Sequence, residues 1–249
     1  MEKDTLQGKR FIDLSKQADR KNIVTFSDFL NLNEQNIFYQ NKNLFETSTI
    51  LSGGYEYAER QIAAFLPDAL SYDWVFPITC LKIIPSYPKF SDKLTHRDIL
   101  GSIMNLGIER SKIGDILLQQ NDYYLFCCES ISHYIIENLE KIKHTIVTVT
   151  IVDGKNLNIV PEFEELSGVI SSNRLDAIIA CICHISRSQS SDFIIGGKAF
   201  INGKEILHNT YICKEGDIIS IRSIGKFVFK NISGETKKGH LKLQYLKYV

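Results

Sequence analysis

Between residues 73 and 155 the hydrophobic pattern switches repeatedly between a period of two and a period of 3.6, and few architectures accept the resulting order. WVFPITCLKIIP (74–85) reads as a strand and HRDILGSIMNLG (96–107) as a helix. GDILLQQNDYYLFCCE (114–129) reads as two strands about a polar turn, ISHYIIENLEKI (131–142) as a helix and TIVTVTIV (145–152) as a β-branched strand. The order βαββαβ predicts a ferredoxin-like, RRM-like plait. That fold hosts many functions and by itself predicts none. One RNA-binding version stacks bases on aromatic residues of its central strands. Tyr123, Tyr124 and Phe126 fall there, but without an accompanying basic-aromatic pattern their alternation suits core packing.

On the N-terminal side, QGKRFIDLSKQADRK, NLNEQNIFYQNK and YEYAERQIAAFL read as helices, with Gly53-Gly54 separating two of them and Pro67 ending the last. Glu56, Glu59 and Arg60 then stand at helical spacing as supporting ion pairs. On the C-terminal side, VDGKNLNIVPEFEEL (152–166) suggests a linker or a short peripheral strand. The expectation is an α+β chain of three small domains: a helical N-terminal region over 1–72, the plait over 73–155 and a third domain over 168–249. A length of 249 residues with 44% hydrophobic and 23% charged residues is enough to bury such cores.

No stretch approaches the run of apolar residues a membrane span needs, and MEKDTLQGKR lacks the apolar stretch of a signal peptide, which predicts a cytoplasmic protein without membrane contact. The six cysteines form no C-x-x-C pair, and no His stands at zinc-ligand spacing, so buried reduced thiols are expected and no metal or cofactor. No glycine-rich nucleotide loop is present.

The net charge of zero conceals an asymmetry, because residues 171–249 carry 12 Lys and Arg against 6 Asp and Glu. The basic third can meet a polyanion. Within it, Leu175, Ile178, Ile179 and Ile182 recur on one helical face, with Arg174 at its rim. Ser186 and Gln189 form a capping box that starts a second helix, with Arg187 and Ser188 in its first turn, and Gly196-Gly197 ends it. Asn202-Gly203 predicts a type I′ hairpin flanked by Lys198 and Lys204. GDIISIRSIGKFVFKNI and HLKLQYLKY add strands, so two helices should pack on a small antiparallel sheet. Arg174, Arg187, Ser188, Lys198, Asn202, Lys204 and Arg222 are the candidate RNA contacts, unless the cations are simply solvated. Within the plait, Thr95 and Asp98 resemble a capping box, a better reading of Thr-His-Arg-Asp than an acid–base pair of His96 and Asp98. Arg97 and Arg110, near the ends of that helix, are secondary candidates for an RNA backbone.

Residues 172–222, with their R-L-D, S-R, glycine-ended helix, Asn-Gly turn and Gly216-Asp217-Ile218-Ile219, resemble the S4-type RNA-binding domain. More widely, GGYEYAER (53–60), LTHRDILGSIMNLGIERSKIGDILL (94–118) and GETKKGHLKL (234–243) look like the YlmH family of bacterial proteins. The resemblance implies non-catalytic binding of structured rRNA and tRNA on the large ribosomal subunit, in handling stalled complexes that carry peptidyl-tRNA (ribosome-associated quality control); a monomer is expected. S4-type modules usually have Ala at the position of Ser190 and a branched apolar residue at that of Ala199, which predicts looser helix packing here.

An RNA-modifying enzyme is the alternative, since Arg174-Leu175-Asp176 resembles part of the H-R-L-D motif of pseudouridine synthases. Asn173 replaces the His, however, and about seventy residues downstream are too few for a typical catalytic domain. A third reading makes the N-terminal region a docking surface for a protein partner.

Overall fold

A computed structural model of the chain describes residues 2–119, 122–154 and 163–248. It divides into two compact units, Met1–Ile159 and Val160–Val249. Most of the expected linker, residues 155–162, and the turn residues 120–121 lie outside the described residues.

The first unit begins with α1 (Glu2–Lys21), β1 (Thr25–Leu30), α2 (Leu32–Asn41), β2 (Ser48–Ser52) and β3 (Gln61–Leu66). The strands form an antiparallel sheet in the order β1-β3-β2. Phe11 of α1, Phe38 of α2 and Phe65 of β3 are fully buried and meet edge to face at ring separations of 5.5 and 5.8 Å. Burying each such ring contributes about 1.5–3 kcal/mol.

The expectation of an all-helical N-terminal region is corrected here: residues 55–60 form turns, and Gln61–Leu66 is the central strand of the sheet. Ile62, Ala63, Ala64 and Phe65 are all fully buried. A strand covered on both faces shows no alternation, and its alanines imitate a helix. Gly53 and Gly54 shape the turn before it. A Cβ on Gly53 would lie 2.3 Å from that of Ala58, and Gly54 has φ +94° with its α-carbon against the Phe126 ring.

The unit continues with β4 (Ile78–Pro85), α3 (His96–Asn105), β5 (Ile113–Gln119), β6 (Asp122–Cys128), α4 (Glu129–Asn138), β7 (Lys141–Ile142) and β8 (Thr145–Val152). The sheet order β5-β6-β4-β8-β7, antiparallel throughout, is that of the ferredoxin-like plait, with β7 an added edge ribbon. Three ends differ from expectation. The first strand starts at Ile78 and leaves Trp74 to pack on Phe26 and Phe76, α4 starts at Glu129, and Lys141-Ile142 leaves the helix to pair with β8.

Leu81, Ile83, Ile99, Ile103, Leu125 and Ile135 place the main core between the sheet and its two helices. Tyr123, Tyr124 and Phe126 are buried, as expected of core residues. Cys80, Tyr124, Phe126 and Cys128, on the opposite sheet face, share a second core with Phe29 and Ile62 from the N-terminal sheet.

The second unit contains β9 (Phe163–Ile170), α5 (Leu175–Cys183), α6 (Arg187–Ile195), β10 (Ala199–Ile201), β11 (Lys204–Glu205), β12 (Ile218–Ile221), β13 (Gly225–Glu235) and β14 (Leu241–Tyr248). Its six strands run β11-β10-β12-β13-β14-β9, each antiparallel to its neighbours. Leu175, Ile178, Ile179 and Ile182 of α5 bury the predicted face against Ile219, Phe229, Leu243 and their neighbours. Residues 163–166 of that stretch therefore enter a full edge strand, paired with β14 from Phe163 to Ile170.

Candidate nucleic-acid interface

Arg174 is the N-cap residue of α5, with extended backbone and no side-chain capping bond. Its guanidinium instead turns to the first helical turn, donating from Nε to Asp176 Oδ1 at 3.1 Å and from Nη2 to Oδ2 at 3.2 Å. Asp176 also accepts the Ala177 backbone N–H at 3.0 Å, so it serves the helix start as a carboxylate should. α5 stops at His184, which takes the left-handed conformation (φ 53°). The chain turns, and Ser186 with Gln189 forms the predicted capping box of α6. That box fixes Arg187 so that its Nη2 reaches Asp176 Oδ2 at 2.8 Å. One carboxylate, 7% exposed, thus sits between two guanidiniums that are 38% and 50% exposed. The cluster carries a net positive charge and holds both arginines at the surface in fixed orientation.

Ser190 is fully buried and donates to the Asp176 carbonyl at 2.7 Å, which ties α6 to α5. The expected looseness at Ser190 does not arise, because its hydroxyl has a partner, and Ala199 is likewise fully buried.

At the other end of α6, nine residues or about 13 Å away, the second group begins. Asn202 (φ 49°) and Gly203 (φ 77°) make the predicted type I′ turn between β10 and β11, with Ile201 facing Lys204. Lys198, Lys204 and Arg222 are exposed. The Lys198 ammonium lies 5.3 Å from the Phe193 ring centre, the Arg222 guanidinium 5.6 Å from that of Phe200, and the Arg222 N–H donates to the Lys198 carbonyl. Asn202 differs from the others. Its amide donates to Asp217 at 2.8 Å and its carbonyl oxygen accepts the Ile218 N–H at 2.9 Å, so the side chain holds the hairpin to β12. Ser188 is exposed in the first turn of α6. Elsewhere in the unit Lys230 and Lys247 pair with Glu165 and Glu164 and burial pulls Lys226 down to about 8, whereas Lys214, Lys237, Lys238 and Lys242 are exposed.

In the first unit, Arg97 is exposed at the start of α3, but Arg110 is turned inward, donating to the carbonyls of Ile113 and Gly114. Burial, with Arg60 adding to it, lowers its pKa to about 10. The Nη1 group of Arg110 therefore serves the fold, and Arg97 is the more exposed of the two secondary candidates. Thr95 and Asp98 form the capping box, and the Lys143 and Thr95 hydrogen bonds hold Asp98 down at about 2. Burial, together with Arg110 and Arg97, pushes His96 below its ordinary value.

Two arrangements lie outside the expected set. Asp176 is the hub of the C-terminal arginines, and its signal is the spacing Arg-x-Asp ahead of a capping box. The second is a polar junction in the first unit, where Asp115 accepts the Tyr55 hydroxyl at 2.8 Å and the N–H groups of Glu59 and Arg60. Arg60 in turn donates to the carbonyls of Ile113 at 2.8 Å, Phe29 at 2.9 Å and Arg110 at 3.3 Å. These partners are 31 to 60 residues apart, beyond the reach of local pattern.

Comparison with known proteins matches residues 4–68 to the family described as "YlmH, N-terminal" and residues 75–156 to "Putative RNA-binding domain in YlmH". A Bacillus subtilis (strain 168) protein named "Ribosome-associated protein quality control protein P2" is 29% identical over 220 residues, covering 86% of this chain and 84% of its own length. The solved structure of "Cell division protein ylmH from Streptococcus pneumoniae" superposes with a TM-score of 0.50 at 22% identity, over 60% of this chain and 91% of that one, a likeness of fold. The RNA-binding description thus falls on the plait, whereas the basic residues singled out above lie mostly in the second unit.

Proposed function

We propose, since this chain belongs to the YlmH family, that it is a ribosome-associated RNA-binding protein whose second unit grips the RNA backbone. The observation that carries the reading is the pair Arg174 and Arg187 held on Asp176, together with the exposed Lys198, Lys204 and Arg222, in the basic third of the chain. The two arginines held by one shared carboxylate lose little entropy on meeting phosphates. Ser188 and the unshared N–H groups at the start of α6 add donors where the helix end favours an anion. Such a surface reads shape and charge, as structured RNA demands.

In its finer form, the proposal has three parts in the chain, 1–72, 73–155 and an S4-type domain over 168–249. It acts without catalysis, as a monomer, on rRNA and tRNA of the large subunit, in handling stalled peptidyl-tRNA complexes. The relative's name supports the ribosomal setting, and the plait's match supports a second RNA contact, for which Arg97 is the exposed candidate. Asp176 supports the non-catalytic reading over a pseudouridine synthase. Its carboxylate is largely buried and engaged by two guanidiniums, whereas a nucleophile must approach its base.

The test is binding of ribosomal and transfer RNA transcripts across a salt series. Contact with four or five phosphates lowers affinity by about two orders of magnitude between 50 and 200 mM salt. Salt-insensitive binding would contradict the reading.

A further inference from the structure

In the second unit β13 and β14 run on together past the strand that flanks β13. The backbone of β12 is bonded to β13 only as far as Phe229, which exchanges hydrogen bonds with Gly216 and Asp217, whereas the β13–β14 ladder continues to the pair Glu235 with Leu241. From Tyr245 back to Leu241 that is four residues, or about 13 Å. β9 supports β14 on its other side and ends at Ile170, opposite Leu241, so the turn 236–240 lies beyond the last strand pair. That turn reads TKKGH and is held by its own bonds. The Thr236 N–H donates to the His240 carbonyl at 2.7 Å, the Gly239 N–H to the Thr236 carbonyl at 2.9 Å and the His240 N–H to the Thr236 hydroxyl oxygen at 3.1 Å. Gly239 has φ +75°, which glycine adopts without strain. Lys237, Lys238, His240 and Lys242 are exposed, and among the described residues none of the three lysines is in an ion pair.

The strand register places further cations at the same end of the sheet. Lys204 faces Ile201 across the type I′ turn, next to the start of β12, and the Lys214 N–H donates to Asp217 at 2.8 Å. Past Ile170 the chain reaches Ser171, whose hydroxyl oxygen accepts from Arg187 at 3.5 Å, so the hairpin tip continues the line of the Arg174–Asp176–Arg187 cluster. Asp176, Asp217 and Glu215 each accept hydrogen bonds of the fold, which leaves Glu235 beside the lysines. Several ammonium groups on a fixed turn suit an array of phosphates. No Phe, Tyr or Trp stands between Phe229 and Tyr245, so the tip offers unpaired bases no stacking platform. Cations without aromatics on a preformed shape fit paired RNA, which proteins read by shape and through phosphates and 2′-hydroxyls.

We propose that the tip of the β13–β14 hairpin, residues 236–240 with Lys242 behind it, is a further RNA site of the second unit, one that takes the phosphate backbone of a duplex. Lys237 and Lys238 each meet a phosphate. The proposal rests on the RNA-binding reading above and adds to its cations a contact on the opposite side of the Arg187–Ser171 bond from α6.

The full-length protein is titrated with an RNA duplex of about sixteen base pairs, and with a single strand of the same sequence, between about 50 and 200 mM salt. Lys237→Gln combined with Lys238→Gln alters two exposed residues and should leave the melting temperature unchanged. This tip variant should lower the slope of log affinity against log salt by about two and weaken duplex binding by at least about tenfold at the lower salt. A control variant removes the same charge from the exposed Lys9 and Lys21 of α1 and should keep the wild-type slope. Acetylation of the wild-type complex, followed by mass spectrometry, should find Lys237 and Lys238 protected by the duplex.

A slope that the control lowers as much, equal losses on duplex and single strand, or unprotected Lys237 and Lys238 in the complex would overturn the site. Unchanged duplex affinity in the tip variant also overturns it, and if that variant nevertheless loses cosedimentation with ribosomes, the tip meets an acidic protein surface instead. Lys204→Gln, followed in parallel, distinguishes the two proposals. Salt-dependent binding that falls with Lys204→Gln but not with the tip variant removes the tip and leaves the grip of the second unit standing. Duplex binding that depends on the tip and not on Lys204 does the reverse, and a wild-type protein without salt-dependent RNA binding removes both.

Discussion

Arg187 reaches back eleven residues to place its Nη2 2.8 Å from Asp176 Oδ2, and this bond joins the first turn of α6 to the first turn of α5. Arg174 reaches both oxygens of the same carboxylate. The arginines therefore serve the fold and the surface at once, while Lys198 and Lys204 are exposed beyond them.

That difference separates two kinds of variant. Lys204→Gln should weaken binding of all RNAs about equally, reduce the salt slope by about one and leave the melting temperature unchanged. Arg187→Gln should weaken RNA binding similarly but also lower the melting temperature, because it strips Asp176 of a partner. Identical melting temperatures for the two variants would show that the Arg187–Asp176 bond does not support the fold.

Asp176→Asn removes the largely buried charge that orients both guanidiniums. With the arginines half in water, the cost should be about 1–3 kcal/mol, read by denaturant unfolding. RNA affinity should fall without any change in the nucleoside content of RNA incubated with the wild-type protein. A modified nucleoside produced by the wild type and lost in Asp176→Asn would revive the enzymatic alternative.

Arg60→Lys is a strong test of the first unit. Only a forked guanidinium spans the carbonyls of Phe29, Arg110 and Ile113, and a lysine leaves part of this half-buried set unpaired. Destabilisation by about 2 kcal/mol is expected, with Tyr55→Phe costing about 1 kcal/mol through the lost bond to Asp115. An Arg60→Lys variant as stable as the wild type would contradict the role given to this junction.

The capping box of α3 has a pH signature. Lys143 and Thr95 depress Asp98 from 3.8 to about 2 in the folded chain, so its contribution is present above about pH 4 and lost as pH falls through 2. The gap in melting temperature between wild type and Asp98→Asn should therefore shrink across that window. Asp115 runs the other way, since burial raises its pKa, so its ionisation opposes folding as pH rises through the raised value. A gap for Asp98→Asn that stays constant down to pH 2 would show that no such depression exists.

Much of the architecture is legible wherever local pattern and tertiary demand agree. The plait follows from its alternating periods, and the second unit from Ser186-Gln189, Asn202-Gly203 and the apolar face of α5. β3 is not legible, because Gln61–Leu66 is buried on both faces and its alanines carry helix propensity. The basic candidates are readable as residue types. Their commitments are not, since Arg110 turning inward and Asn202 bonding to Asp217 depend on partners that only the folded chain supplies. Arg60 shows the same limit most plainly. It reads as a helical ion-pair residue, yet it closes a junction between segments far apart in sequence.

The central claim is ribosomal RNA binding by a charged surface, and gradient sedimentation of the tagged full-length protein from lysate tests it most directly. Fractions are taken at low and high salt, and their RNA is sequenced. The account predicts comigration with large ribosomal subunits at low salt, enrichment of transfer RNA in those fractions, and release of the protein at high salt. Migration as a free protein at both salt concentrations, with no enriched RNA, would contradict it.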